Sequence, residues 1–136
     1  SDKHNSAAVF GHFDDVVRRS GEDEGNISIY WFKHGWFWMI PLRDGTMSVG
    51  AVCWPEYLKT RRTSLAEFLA QTITLCPGVS ERMLNARPKG NVHATGNFSY
   101  QSKHLFHALA SGTPGRKYLA PLRECKQVVK PLEHPQ

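Results

Sequence analysis

Apolar side chains recur at every second position through most of the first half of the chain, which is the period of a β-strand whose side chains point alternately to its two faces. Ala7-Ala8-Val9-Phe10-Gly11-His12-Phe13 is short, apolar and β-prone and reads as a first strand. In Asn26 to Lys33, Ile27, Ile29 and Trp31 share one face and Ser28, Tyr30 and Phe32 the other. Trp36-Phe37-Trp38-Met39-Ile40-Pro41 is apolar on both faces, with Trp36, Trp38 and Ile40 against Phe37 and Met39. A strand apolar on both faces is covered on both, so this one belongs inside a sheet. Pro41 lacks a ladder donor and should end it. A further strand runs from Met47 to Trp54, with Met47, Val49, Ala51 and Cys53 on one face. Gly50 in its middle marks a bulge or leaves room for something large to approach the backbone.

The connections are short. Lys33-His34-Gly35 is a turn in which Gly35 is free to take positive φ, and Asp44-Gly45 within Arg43 to Thr46 is a strong hairpin signal. Strands joined this way make an antiparallel meander. The period then changes. Ser64-Leu65-Ala66-Glu67 is a capping box, and Leu65, Phe68, Leu69, Thr72 and Ile73 fall on one face of a helix running to about Leu75, before Pro77-Gly78. Val79 to Leu84 is long enough for a shorter second helix. Asn91 to Tyr100 alternates again and reads as a further strand. The fold class expected is α+β, an antiparallel meander with one covering helix.

Composition and charge change this picture little. The formal net charge is +5 over 136 residues. Residues 1–101 hold 11 Lys+Arg and 10 Asp+Glu, whereas residues 102–136 hold 6 and 2, so the basic excess lies at the end of the chain. The alternating part has no basic patch interleaved with aromatics, which argues against nucleic-acid binding. The three cysteines, Cys53, Cys76 and Cys125, have no C-x-x-C spacing. With the seven scattered histidines they offer neither a disulfide framework nor a metal site. No apolar run approaches the roughly 20 residues of a membrane helix, and the polar start of the chain lacks a signal peptide's apolar segment. A cytoplasmic location is expected. The acidic stretch Glu22-Asp23-Glu24 reads as a solvated loop.

The motif W-x-W-x-I-P, carried here by Trp36, Trp38, Ile40 and Pro41, resembles that of the flavin-dependent halogenases, the tryptophan-halogenase family. The flanking runs Gly25 to Tyr30, Val49 to Pro55 and Ala94 to Tyr100 look like the same family, so the resemblance covers roughly Ser6 to Lys103. It implies that residues 1–103 are part of the substrate-side sheet-and-helix region of a flavin monooxygenase-like fold of the glutathione-reductase type. Beyond Lys103 the resemblance stops. Residues 104–136 hold four of the eight prolines among basic residues and read as a divergent, poorly ordered tail.

The resemblance implies an oxidoreductase using FAD, with reduced flavin supplied by a flavin reductase, dioxygen and a halide. It implies an aromatic or pyrrole-type substrate, free or tethered to a carrier. Such an enzyme makes hypohalous acid at the flavin and passes it through a tunnel to a separate substrate pocket. Trp36, Trp38, Ile40 and Pro41 would line that tunnel and keep substrate away from flavin. As a bare pattern, alternate tryptophans in a hairpin strand are usually core, and here they would serve both ends. Tyr30 and Tyr100 are candidates for the substrate pocket, since a phenol offers a flat face and a hydrogen bond. None of the eleven glycines forms the G-x-G-x-x-G phosphate turn. Neither Lys3 nor Lys33 lies in the context of the family's active-site lysine, so no catalytic residue is assigned. The chain is therefore expected to be a fragment, inactive and without tight FAD binding alone. The alternatives are a fragment of an FAD-dependent aromatic hydroxylase, which shares the fold, and a non-catalytic small-molecule or protein-binding domain.

Overall fold

The computed structural model describes residues 6–21 and 25–96. Four strands form the body of one sheet: β1 (Ala7–Asp14), β2 (Ser28–Phe32), β3 (Gly35–Pro41) and β4 (Met47–Cys53). Three helices follow, α1 (Pro55–Leu58), α2 (Leu65–Ile73) and α3 (Pro77–Arg82), and then two short strands, β5 (Arg87–Pro88) and β6 (His93–Thr95). The sheet order is β2-β3-β4-β1-β5, with β6 also paired to β1, and every pairing is antiparallel. β2, β3 and β4 are the expected meander. β1 closes onto the far side of β4, from Ala7 opposite Cys53 to Phe13 opposite Met47. β3 is thus an interior strand, and Pro41 is its last residue.

The turns use the residues their geometry demands. At Asp44 the carboxylate accepts from both the backbone N–H (3.0 Å) and the hydroxyl (2.6 Å) of Thr46, which holds the carboxyl below its ordinary range. Gly35 has φ of 150°, and a Cβ there would stand 1.8 Å from the Val52 carbonyl oxygen, so only glycine allows β3 to start this close to β4.

The two sheet faces bury separate clusters. On one, Val9, Phe37, Met39, Val49, Ala51 and Cys53 pack with Phe68, Leu69 and Ile73 of α2 and Val79 of α3. α2 forms because Ser64 caps it, its hydroxyl accepting the Glu67 N–H at 3.1 Å, and because its apolar stripe buries Phe68, Leu69, Thr72 and Ile73. Tyr57, on α1, locks the layer: its hydroxyl bonds Thr72 Oγ1 at 2.7 Å, and the His34 ring stacks on it at 4.1 Å and 4°. On the other face, Ala8, Ile27, Trp38, Ile40, Leu42 and Val52 form the second cluster.

Four details depart from the expectations. The helix layer gains α1, because Trp54-Pro55 places a proline in the first turn of a new helix, where its missing N–H costs nothing, and the second helix expected from Val79 starts at Pro77 for the same reason. The Arg87–Pro88 strand was not anticipated. The alternating stretch from Asn91 yields strand only from His93 to Thr95 among the described residues, where it pairs with β1. Trp31, on the same face as the buried Ile27, is 44% exposed because β2 is the edge strand. The tail reading for residues 104–136 lies outside the described residues.

Candidate functional site

On the face opposite the helices the large aromatic side chains form one continuous row across the sheet. Trp31 of β2 meets Trp36 of β3 at 6.5 Å between ring centres, and Trp36 meets Trp38 at 6.4 Å. Trp38 meets Phe10 of β1 at 5.9 Å, and Phe10 meets His93 of β6 at 5.8 Å. All four contacts are tilted, the geometry that aromatic quadrupoles prefer to face-to-face stacking. Ile29, Ile40, Val52 and Ala8 fill the spaces around the row. Trp38 is buried at 5%, while Trp36 and Phe10 are half-buried, so the row is core at its centre and surface at its ends.

The central indole is held by polar and steric contacts together. Trp38 Nε1 donates to Ser48 Oγ at 3.0 Å in a buried position. Its ring lies against the Cα of Gly50 on β4, the place where a Cβ would be 2.4 Å from Cζ2. The large group for which Gly50 leaves room is therefore the protein's own tryptophan.

The structure brings Trp36, Trp38 and Ile40 together on this face, and Pro41 ends the same strand. Tyr30 is not with them. It lies on the helix-covered face, where its hydroxyl accepts from Arg82 Nη1 at 3.0 Å and its ring sits 6.0 Å from the guanidinium carbon. Arg82 also donates to Ser28 Oγ and to the Val17 carbonyl, so Tyr30 belongs to a clamp joining α3 to β2 and the loop after β1. Tyr100 lies outside the described residues. Phe10 and His93 enter the row unannounced by sequence spacing. Only the β1–β4 and β1–β6 registers bring them alongside Trp38.

The helix side carries a groove of about 360 Å³ between α2, α3 and the β5–β6 region, lined by Phe13, Leu69, Ile73, Met83, Leu84 and Val92. It does not touch the aromatic row. Among the described residues no group of three or more His, Cys, Asp or Glu side chains could hold a metal ion. No described helix is long and apolar enough to cross a membrane. Nor does any helix follow a strand through a glycine turn, so the described residues lack the phosphate cradle that a dinucleotide requires. Cys53 is buried and its thiol is pushed up to about 12 by desolvation, so it is no nucleophile at neutral pH.

The fold matches that of flavin-dependent halogenase structures. The myxobacterial chondrochloren halogenase CndH matches with a TM-score of 0.64 and 30% identity, over 71% of this chain and 23% of that one. The sequence relatives agree. The chain is 31% identical to the tryptophan 2-halogenase of Chondromyces crocatus over 103 residues, covering 74% of this chain and 20% of the relative. It is 31% identical to flavin-dependent halogenase gsfI of Penicillium aethiopicum over 74 residues, 50% of this chain and 14% of that one. Halogenase PltM, a neighbour in fold alone at 12% identity and a TM-score of 0.54, has been seen in complex with phloroglucinol and FAD. The homologues of this chain are thus flavin-dependent halogenases, and it spans about a fifth of their length or less. No protein-family profile matches the chain.

Proposed function

We propose that this chain is a segment of an FAD-dependent halogenase acting on an aromatic or pyrrole-type substrate, and that its aromatic row is the wall between flavin and substrate. The observation that carries the reading is the row itself: Trp36 and Trp38, the two tryptophans of the W-x-W-x-I-P run, stand side by side on the face that the helices leave alone. A wall exposed to a strong oxidant has to exclude water and hold its shape. Indoles offer large rigid area with few rotamers. Ile40, and Leu42 just past the strand's end, continue the apolar surface.

FAD is the cofactor of the relatives. The described residues do not fit its phosphates, since none of their helices starts from a glycine turn after a strand. In this reading the flavin is bound by other parts of the parent enzyme, with the reductase, halide and any carrier as its partners. The row, rather than Tyr30, is what this segment contributes toward the substrate.

A flavin titration on the purified 136-residue chain tests the reading, following FAD fluorescence and tryptophan emission together. No saturation into the high micromolar range is expected, and no turnover of phenols, indoles or pyrroles. The adjoining coding sequence should supply a strand, a G-x-G-x-x-G turn and a lysine ahead of this segment. Stoichiometric flavin binding, or turnover by the chain alone, would overturn the division of labour proposed here.

A further inference from the structure

We propose that Gly50 and Ser48 of β4 are positioning residues for the Trp38 indole, and that they make the aromatic row continuous across the sheet. The inference rests on reading the row as a wall, and it concerns what holds the wall shut at its centre. Three strands meet at Gly50, which is the register partner of Trp38 on β3 and of Phe10 on β1. Any side chain there would stand between the two rings. A Cβ on Gly50 would lie 2.4 Å from Trp38 Cζ2 and 2.6 Å from both Cε2 and Cη2, far inside van der Waals contact. Without one, the indole reaches over β4 and meets Phe10 at 5.9 Å.

Space alone would let the indole flip. Ser48 removes that freedom. It is the next residue on the same face of β4, opposite Ile40, and its Oγ takes the Trp38 Nε1 proton at 3.0 Å. Trp38 and Ser48 are 5% and 6% exposed, so this bond lies out of reach of bulk water and its loss is not made good at a solvated surface. Gly50 thus decides where the six-membered ring lies and Ser48 decides where the N–H edge points. The pair acts through Trp38 and touches no reacting atom.

Nuclear magnetic resonance of the purified chain tests the assignment without any flavin, so its outcome is independent of the halogenase reading. The Trp38 indole N–H is identified by its loss in Trp38→Phe. In Ser48→Ala that proton should exchange with solvent about tenfold faster, the loss of one buried hydrogen bond, while Ser48→Thr, which keeps the oxygen, should restore slow exchange. In Gly50→Ala the proton contacts between the Trp38 and Phe10 rings should vanish while the β3 and β4 backbone signals persist. If Gly50→Ala does not fold, the double variant Gly50→Ala/Trp38→Leu decides. Recovery of the fold traces the damage to the indole, as proposed. Failure of the double variant as well, unchanged exchange in Ser48→Ala, or surviving Trp38–Phe10 contacts in Gly50→Ala would each overturn it.

Discussion

Phe37 sits between the two tryptophans in the chain yet faces the other way, and its removal measures how firmly the helix layer is fastened to the sheet. The ring is fully buried, its nearest aromatic neighbour is Phe32 at 4.9 Å and 45°, and its register partners are Tyr30 and Ala51. Burying an aromatic side chain removes about 150–250 Å² from water. At roughly 25 cal/mol per Å² that is worth about 4–6 kcal/mol as an upper bound. Measured Phe→Ala changes in cores cost about 3–5 kcal/mol, including the cavity left behind. A domain's whole stability is about 5–15 kcal/mol, so Phe37→Ala should lose about a fifth of it or more. With a urea slope of about 1.5 kcal/mol per molar, the midpoint should fall by about 2–3 M. Phe37→Leu, which keeps most of the volume, should cost about 1–2 kcal/mol. Urea unfolding followed by far-ultraviolet circular dichroism and tryptophan emission reads both. A loss under about 1 kcal/mol for Phe37→Ala with an unchanged slope would refute the packing of α2 and α3 on this face, since a ring in that position cannot be removed cheaply.

Two further outcomes follow from the same layer. His34 has its affinity for a proton lowered, first by burial against the stack and then by Lys33. A base whose folded pKa is depressed binds more protons when unfolded, so stability should be full above the ordinary value of 6.5 and fall as pH drops below it, a dependence that His34→Gln should flatten. Urea midpoints across that window check it, and a midpoint that rises on acidification in the parent but not in His34→Gln would reverse the sign argued here. Cys53 should resist iodoacetamide in the native chain at pH 8 and react only after unfolding, because it is wholly buried and its thiol is held in the neutral form. Peptide mass mapping distinguishes it from Cys125, and native labelling at Cys53 would contradict the burial.

The strands and their faces were legible because period-two alternation is a local signal. Trp36, Trp38 and Ile40 share a face by spacing alone, and so do Met47, Val49, Ala51 and Cys53. The hairpin turn at Asp44-Gly45 and the cap at Ser64 were legible for the same reason, since each is a short-range hydrogen-bonding unit. What spacing could not give was the partner of β1. Pairing to β4 rather than β2 depends on which strand edge stays open after the meander has formed, and with it went the places of Phe10 and His93 in the row. Tyr30 illustrates the complementary gap. Its face was read correctly, but its use as a pocket residue depended on what lay opposite. There the structure puts Arg82, a helix residue 52 positions away, against its hydroxyl. Pro77 reads as a stop because the sequence shows a break more plainly than the new first turn that follows it.

The position of β1 also fixes an order of events. The hairpins β2–β3 and β3–β4 join neighbours in the chain and can close within microseconds. β1 precedes its longest partner, β4, by between 34 residues, for Phe13 and Met47, and 46, for Ala7 and Cys53. During synthesis at about 5–20 residues per second, the first strand therefore waits for seconds with Val9 and Phe10 uncovered while the rest of the sheet is translated. The loop it must then close makes its docking the slow step of assembly. β1 thus docks only after the hairpins that follow it have closed, and any chaperone that attends this chain has its longest opportunity there.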